Sequence, residues 1–435
     1  MKVAMIGAGS VVFAKALIYD ILSFPELSGC TISLMDIDAG RLERIAKIAR
    51  MMVEREGLAA EIEPTMDRRK ALERADYVIT MFQIGGLEAY RLDQEIPARY
   101  GLDQAVGDTL GPGGVFRALR TIPVLLEICR EMEELCPKAL LLNYVNPMAM
   151  NIWAIYRQSG IAHVGLCHSV QGTAADIARY LGAPLDEVSY KCAGINHMAW
   201  FLEYKWKGRD AYPLLREKYH DPQVYRQDII KFEVLKHFGY FVTESSYHMS
   251  EYLPYFRKKK DWLAKIKEID SWLKNDEGNY YIHCINREKE ESERIERQIR
   301  GEEGLDLKQS HEYGAYIIHS IETGTPRVIY GNVKNTGLIT NLPAGCVVEV
   351  PVLVDENGLS PCYVGDLPMQ LAALNRTNIN VQELAVEAAL TGNKDAVYQA
   401  VMLDPLTSAL LTMDEIHRMV SELFAAEADY LPQFK

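Results

Sequence analysis

The sequence lacks the features that mark a membrane-spanning or an exported chain. No stretch of its 435 residues approaches the roughly 18–20 continuous apolar residues that a membrane-spanning helix needs. The amino-terminal segment places only about six apolar or small residues before its glycines, which is too few for the apolar core of a signal peptide. We therefore expect a cytoplasmic protein with no membrane partner.

Paired cysteines and excess positive charge are also missing. The eight cysteines are scattered without a CxxC motif or regular spacing, which predicts reduced thiols instead of a disulfide framework. Lysine and arginine number 47 against 60 aspartates and glutamates, so the formal net charge is −13. Because nucleic acids attract basic surfaces, we expect no nucleic-acid partner.

The first half of the chain alternates short apolar runs with amphipathic stretches. We predict strands over 2–6, 30–35, 76–82, 139–145 and 162–166, with helices between them that include 11–23, 41–54 and 115–134. Strands that are nearly all apolar and separated by helices predict a parallel sheet covered on both faces. The expected fold class is therefore α/β, with a doubly wound sheet of the Rossmann type.

The composition and hydrophobic pattern of the sequence change after Gly194. Residues 200–320 are rich in aromatic and charged residues and predict mainly helix, with a solvated helix face over 286–303. Residues 327–366 contain β-rich runs split by glycine turns, which predict antiparallel strands, and residues 368–435 predict helix. We predict two tightly packed domains, a Rossmann-type domain over 1–194 and a mixed α+β domain over 195–435.

A dinucleotide site is predicted where the first strand meets the first helix. Gly7, Gly9 and Ser10 lie at this turn, where a pyrophosphate would meet backbone N–H groups, although Val12 replaces the third glycine of GxGxxG. Asp36 ends the second strand, where a carboxylate binds ribose hydroxyls and repels a 2′-phosphate. This pattern favours NAD, although the nearby Arg41 weakens the preference. A plain tight turn is the alternative.

Two later strand ends should face the same crevice. Gln83 follows the predicted strand 76–82 and precedes two glycines, which would let the backbone approach the cofactor. Asn146 precedes a proline after the predicted strand 139–145, an arrangement that resembles the lactate and malate dehydrogenase branch of Rossmann folds. By itself Asn-Pro is only a turn signal. The histidine, aspartate and arginine set of a lactate-type dehydrogenase cannot be placed convincingly in the second half.

Several longer strings are similar to those of the family-four glycoside hydrolases. They are GDTLGPGG (107–114), RALRTIP (117–123), NYVNPMAMN (143–151), GLCHS (165–169), GINHM (194–198), FVTESSYHMSEYLPYF (241–256) and IYGNVKN (329–335). The resemblance spans nearly the whole chain and is strongest to the members that hydrolyse α-galactosides. It implies a homo-oligomer, either a dimer or a tetramer.

The resemblance implies an NAD-dependent mechanism, which sets this family apart from glycosidases that use two carboxylates. NAD⁺ oxidises the C3 hydroxyl of the sugar, a base removes the acidified C2 proton, and the aglycone leaves by elimination. Water then adds and C3 is reduced again, so that the net reaction is hydrolysis. Cys167 and His197 occupy the metal-ligand positions of the family, with Mn²⁺ as the expected ion. Softness of the thiolate alone would favour Zn or Fe.

The resemblance also assigns the acid and base. His168 matches the proton donor to the leaving oxygen, and Tyr252 is the best match to the base that removes the C2 proton, with Tyr255 as the second candidate. Asp108 matches a position that assists the tyrosine. Without the resemblance, these residues are equally consistent with packing, capping or structural roles.

Substrate contacts are implied at two positions. Asn146 should contact the sugar, and Arg91 matches an arginine found in relatives that bind charged sugars, although a solvated surface arginine is the alternative. The predicted substrate is therefore a terminal α-galactoside, with an α-glucoside, a 6-phosphoglycoside or a glycosiduronic acid as alternatives. An NAD-dependent hydroxy-acid or sugar-alcohol dehydrogenase and a non-catalytic NAD-binding regulator are further alternatives.

Overall fold

The computed structural model describes residues 1–10, 13–269, 280–305 and 307–435. Its strands form one continuous sheet in the order β3-β2-β1-β4-β5-β6-β10-β11-β7-β8-β9, with β12 paired to β11. The strands are β1 (Lys2–Ile6), β2 (Thr31–Met35), β3 (Glu61–Thr65), β4 (Tyr77–Thr80), β5 (Leu140–Asn143), β6 (His163–Gly165), β7 (Val188–Ile195), β8 (Met198–Trp206), β9 (Arg209–Asp210), β10 (Arg327–Lys334), β11 (Val347–Asp355) and β12 (Gly358–Pro361).

The first six strands pair in parallel and confirm the predicted doubly wound sheet. Their order is the one found in dinucleotide-binding folds, in which ligands bind at the carboxyl ends of the strands. Strands β4 and β5 are buried along their whole length, as expected where helices cover both faces of a sheet. The carboxyl ends of β1, β4, β5 and β6 therefore meet at one edge.

Antiparallel strands extend this sheet. Strand β10 pairs with β6, where Asn332 faces Gly165, and β11 pairs with β7, where Glu349 faces Gly194. The antiparallel strands predicted over 327–366 are confirmed. The prediction of helix is wrong for 200–206, because these residues belong to β8, where they pair with β7. The sheet contains strands from both sides of residue 194, and the domain division there stays a prediction.

Helices cover the sheet and build the rest of the chain. They are α1 (Ala14–Leu22), α2 (Ala39–Glu56), α3 (Arg68–Leu72), α4 (Gly86–Arg99), α5 (Gly111–Leu135), α6 (Met148–Gln158), α7 (Ser169–Leu181), α8 (Tyr212–Glu217), α9 (Pro222–Tyr225), α10 (Ile229–Phe238), α11 (Ser246–Tyr252), α12 (Lys260–Ile269), α13 (Tyr280–Ile299), α14 (Tyr313–Thr323), α15 (Met369–Thr391), α16 (Lys394–Leu403), α17 (Pro405–Leu410) and α18 (Met413–Ala426).

These bounds agree with most of the predicted helices. The helix expected over 11–23 is present from Ala14, while Val11 and Val12 lie outside the described residues. Most of the charged run 286–303 lies in α13, and the tail is helical as predicted. All eight cysteines are free thiols. In the part of the chain that the structure describes, each helix is too short or too polar to cross a bilayer.

Candidate active site

The glycine turn after β1 is packed so closely that side chains are excluded. Gly7 has a φ of +86°, and a Cβ placed there would lie 2.7 Å from Cβ of Phe82. A Cβ on Gly9 would lie 2.7 Å from Oδ2 of Asp36, which accepts a hydrogen bond from the Gly9 amide at 2.8 Å. Ser10 follows and accepts a weak hydrogen bond from the amide of Phe13 at 3.4 Å. The structure therefore brings the four residues predicted at the dinucleotide site together.

Gln83 and Asn146 also lie at this edge of the sheet. Gln83 follows β4 and donates from Nε2 to the carbonyl of Gly86 at 2.9 Å. Its Oε1 accepts a long hydrogen bond from Nη2 of Arg117 at 3.4 Å, and Nη1 of the same arginine lies 3.4 Å from Oδ2 of Asp108. Asn146 follows β5 and is partly exposed. Arg117 thus joins the predicted cofactor loop to the predicted catalytic aspartate.

Three side chains of types that can bind a metal ion converge beside these strand ends. Cys167 follows β6, His197 lies between β7 and β8, and Glu244 precedes α11. One ligand atom from each lies within 4.8 Å of the other two, and Nε2 of His197 is 3.6 Å from Oε2 of Glu244. His197 and Glu244 both have positive φ values, +62° and +69°, a left-handed conformation that is uncommon for non-glycine residues. Sequence reasoning identified the first two residues and missed Glu244.

The electrostatics of this cluster fit a divalent cation. Burial, together with the charges of Glu244 and Glu349, holds the pKa of the Cys167 thiol well above its ordinary value. Burial also raises the pKa of Glu244, but the nearby histidines, His197 first, outweigh it and lower that pKa to about 2. A cation would compensate the buried carboxylate and favour the thiolate. The carboxylate adds a hard oxygen donor, the ligand type that suits Mn²⁺.

Tyr252 lies directly behind the histidine of this cluster. Its hydroxyl is 3.2 Å from Nδ1 of His197, and the side chain is buried. Burial, followed by the charges of Asp108, Glu251 and Glu244, raises the pKa of Tyr252 well above its ordinary value. Tyr255 is instead 49% exposed. The geometry therefore brings Tyr252, and not Tyr255, to the cluster.

His248 lies between the carboxylates of Asp108 and Glu244. Its Nε2 lies 3.4 Å from Oδ1 of Asp108, and its Nδ1 lies 3.4 Å from Oε1 of Glu244. Burial raises the pKa of Asp108, but the hydrogen bond and charge of His248, with help from Arg117, leave it below its ordinary value. Asp108 is therefore an ionised carboxylate, and its negative charge is one of those that raise the pKa of Tyr252. His248 lies between Asp108 and the cluster.

Buried Glu251 fixes the loop that carries Asp108. Its carboxylate accepts hydrogen bonds from the amides of Val106 at 2.6 Å and Gly107 at 3.1 Å. Because Glu251 immediately precedes Tyr252, the same turn of α11 places the tyrosine and holds the aspartate loop.

The remaining predicted residues differ in their surroundings. His168 precedes α7 with 60% of its side chain exposed, and its Nδ1 lies 3.6 Å from Oε1 of Glu312. Arg91 lies on α4 and pairs with Glu88 at 2.6 Å and with Glu95, both on its own helix. The structure does not bring Arg91 into contact with the metal-binding cluster, and its role in binding substrate stays a prediction.

The missed residues were present in strings that pointed to the site. Glu244 and His248 both lie in FVTESSYHMSEYLPYF, and Arg117 opens RALRTIP. Glu312 lies in none of the strings. The similarity of these strings to the family identified the segments but did not indicate which of their side chains face the site.

Comparison with known proteins identifies the family. Family 4 glycosyl hydrolase matches residues 2–183, and the Family 4 glycosyl hydrolase C-terminal domain matches residues 192–407. The chain belongs to the family 4 glycosyl hydrolases. The resemblance inferred from the strings is therefore confirmed.

Relatives within this family cover the chain from end to end. An α-galactosidase of Bacillus subtilis (strain 168) is 45% identical, with the whole of both chains covered. An α-galactosidase of Rhizobium meliloti (strain 1021) is 40% identical over the whole of this chain and 89% of its own. An α-galacturonidase of Lachnoclostridium phytofermentans is 30% identical over 100% of this chain and 97% of its own.

Solved structures confirm the fold. A 6-phospho-α-glucosidase from gut microorganisms, solved with NAD and Mn²⁺, has a TM-score of 0.84 at 20% identity and covers 100% of this chain and 99% of its own. Malate dehydrogenase from Plasmodium falciparum has a TM-score of 0.51 at 13% identity, with 91% of this chain and 99% of its own covered. The Rossmann-type sheet of the dehydrogenases is thus shared by this family 4 glycosyl hydrolase.

Proposed function

We propose that this protein hydrolyses terminal α-galactosides by the redox-neutral route, with NAD and a divalent metal, Mn²⁺, as cofactors. The observation that carries the proposal is the meeting of Cys167, His197 and Glu244 within reach of one another, with the Tyr252 hydroxyl 3.2 Å from His197. A metal-free dehydrogenase does not need such a cluster beside a buried tyrosine.

The residues at the glycine turn fit the cofactor. Gly7 and Gly9 lie in the turn between β1 and α1, where the absence of side chains leaves room for a pyrophosphate, and Asp36 lies where ribose hydroxyls would bind. Ile37 beside it is 84% exposed, an apolar surface suited to an adenine ring. When bound, NAD exchanges hydride with C3 of the sugar, and the metal polarises the oxygens on C2 and C3.

The protein itself handles the protons. Tyr252 removes the C2 proton, and a cation held by Cys167, His197 and Glu244 would supply the positive charge that its ionisation requires. Asp108 and His248 set the electrostatic environment of that tyrosine. His168 protonates the leaving oxygen from its exposed position, and Asn146 contacts the sugar.

A neutral sugar is the substrate that the charges favour. Arg91 is paired with two carboxylates of its own helix, so its charge is compensated before a phosphate or uronate could bind. The α-galactosidases of Bacillus and Rhizobium are also more similar to this chain than the α-galacturonidase is. An α-glucoside, a 6-phosphoglycoside and a glycosiduronic acid are the alternatives.

We further infer that the protein is a cytoplasmic homo-oligomer, either a dimer or a tetramer, and that its other binding partner is the saccharide substrate. The net charge of −13 and the eight free thiols support a reducing compartment without nucleic acid. Light scattering on the purified protein measures the oligomeric state directly.

Hydrolysis in D₂O tests the reaction. Wild-type protein with NAD⁺, Mn²⁺ and a thiol reductant should release galactose from p-nitrophenyl α-galactoside with deuterium at C2 and without accumulating NADH. Release of unlabelled sugar would mean direct displacement. Stoichiometric NADH would instead mean a dehydrogenase. The matched aryl α-glucoside and α-galacturonide report which sugar the site accepts.

A further inference from the structure

Glu312 directs a largely buried carboxylate at the exposed imidazole of His168. Oε1 of Glu312 lies 3.6 Å from Nδ1 of His168, and the exposed fractions of the two side chains are 14% and 60%. Within the part of the chain that the structure describes, Nε2 of His168 has no protein partner, so only one side of the ring is held. The ring also lies beside Phe13, with 6.4 Å between the ring centroids, close to the glycine turn.

Capping does not explain this carboxylate. Glu312 is the N-cap residue of α14, yet its side chain accepts no capping hydrogen bond. Its Oε2 is buried and has no hydrogen-bond partner among the described residues. Burial raises the pKa of Glu312, and the charge of His168 is the largest influence that lowers it. A buried carboxylate is costly without a partner, and the imidazole at 3.6 Å compensates it together with the Tyr144 hydroxyl and the charge of His311.

The backbone around Glu312 is fixed on both sides. Three side chains from elsewhere in the sequence hold the segment 310–314: Asp20 Oδ1 accepts from the amide of Ser310 at 2.7 Å, Gln171 Nε2 donates to the carbonyl of His311 at 3.1 Å, and the Tyr144 hydroxyl accepts from the amide of Gly314 at 3.0 Å. Gln171 lies on α7, the helix that His168 precedes. The carboxylate and the imidazole are therefore parts of one connected unit.

We propose that Glu312 is the positioning residue for the proton donor, pairing with Nδ1 of His168 so that Nε2 faces the glycosidic oxygen. This inference rests on the proposed function. In the elimination step, the C1–O bond breaks, and its electron pair goes to the aglycone oxygen, which takes the Nε2 proton. The electron pair left by removal of the C2 proton forms the C1=C2 bond. Water that later adds at C1 returns a proton to Nε2, and Glu312 stays ionised throughout.

The dependence of rate on the leaving group tests this assignment. Protonation of the leaving oxygen matters most for a weakly acidic alcohol and least for an acidic phenol. We therefore compare phenyl and p-nitrophenyl α-galactosides, with wild-type protein, Glu312→Gln and Asp20→Asn. Asp20→Asn is the matched control, because Asp20 anchors the same segment without contacting His168.

Glu312→Gln should slow hydrolysis of the phenyl galactoside by about 10- to 100-fold and that of the p-nitrophenyl galactoside by less than about threefold. Asp20→Asn should change both rates by the same factor. In a His168→Ala background, Glu312→Gln should add nothing to the difference between the two substrates. Glu312→Asp, which keeps the charge on a shorter side chain, should be intermediate and gives a second measurement if the glutamine variant does not fold.

Equal slowing of both substrates by Glu312→Gln, or an undiminished effect of that substitution without His168, would overturn the assignment. The C2 label separates this failure from that of the proposed function. Labelled galactose from the wild-type protein together with equal slowing refutes only the role of Glu312. Unlabelled galactose from the wild-type protein refutes the elimination itself.

Discussion

Replacing Glu427 by glutamine should change how the stability of this protein depends on pH. Glu427, Asp93 and Arg120 form a cluster of fully buried side chains, in which Arg120 Nη1 lies 2.8 Å from Oε2 of Glu427 and 3.1 Å from Oδ1 of Asp93. Two carboxylates share one guanidinium, so full ionisation would bury an uncompensated negative charge. Burial and then the charge of Asp93 raise the pKa of Glu427 to about 9, although Arg120 opposes the shift.

The magnitude follows from proton counting. In the unfolded chain Glu427 titrates near 4.5, so between that value and about 9 the folded state holds one proton more than the unfolded state. This contribution to stability is fully present below pH 4.5 and is lost as pH rises toward 9. Within that window the free energy of unfolding should fall by about 1.4 kcal/mol per pH unit because of the proton that the Glu427 and Asp93 pair retains in the folded state.

Glutamine cannot ionise, and it resembles the protonated acid in shape and hydrogen bonding. The free energy of unfolding of Glu427→Gln relative to wild type should therefore rise by about 3 kcal/mol between about pH 6 and pH 8. Urea unfolding of both proteins at several pH values measures this difference. Glu422→Gln is the control, because Glu422 lies on α18 in a surface ion pair with Arg99 and should leave the pH dependence unchanged.

Parallel stability curves for wild type and Glu427→Gln would refute the reasoning. They would mean that Glu427 is ionised in the folded protein and that Arg120 alone compensates both carboxylates. The cluster also bears on the site, because Nε of Arg120 donates to the carbonyl of Ile84 at 3.1 Å, next to Gln83 in the predicted cofactor loop.

Further predictions concern the site itself. Glu244→Gln should raise the Mn²⁺ concentration needed for half-maximal activity by at least about tenfold, because it removes the only carboxylate of the cluster; an unchanged metal titration would exclude it as a ligand. Tyr252→Phe should lower kcat by about 100- to 10,000-fold while Tyr255→Phe changes it by less than about twofold, and the reverse order would reassign the base. Arg91→Ala should leave KM for aryl α-galactosides within about twofold, because its charge is already compensated; a large rise in KM would place it at the substrate.

Much of the site could be predicted where the motif and the strand end coincide. Gly7, Gly9 and Asp36 lie at the ends of apolar strands, and parallel strands bring their carboxyl ends to one edge. Cys167 has the same relation to β6, so its position follows once the sheet is recognised. The resemblance of the surrounding strings to the family indicated the catalytic chemistry, which the apolar periodicity of the sequence does not reveal.

Other side chains could not be assigned in advance. Glu244 lies in a segment without periodicity, and only its left-handed backbone conformation and the approach of α11 turn the carboxylate toward His197. The resemblance already favoured Tyr252 over Tyr255, and the structure supports that order because Tyr252 ends α11 as a buried residue whereas Tyr255 lies beyond the helix and is 49% exposed. Residues 200–206 were wrongly assigned to helix, because their aromatic and charged composition conceals the pairing with β7.

The sequence by itself determined the α/β class, the glycine turn, the reduced thiols and the family, because local propensity, apolar periodicity and specific strings are properties of neighbouring residues. Tertiary structure alone decided that Glu244 lies with Cys167 and His197 and that Glu312 faces His168. These facts join residues far apart in sequence or depend on which side of a helix a side chain projects from. Only the packing of β6, β7, α11 and α14 around one edge of the sheet brings such charges within a few ångströms.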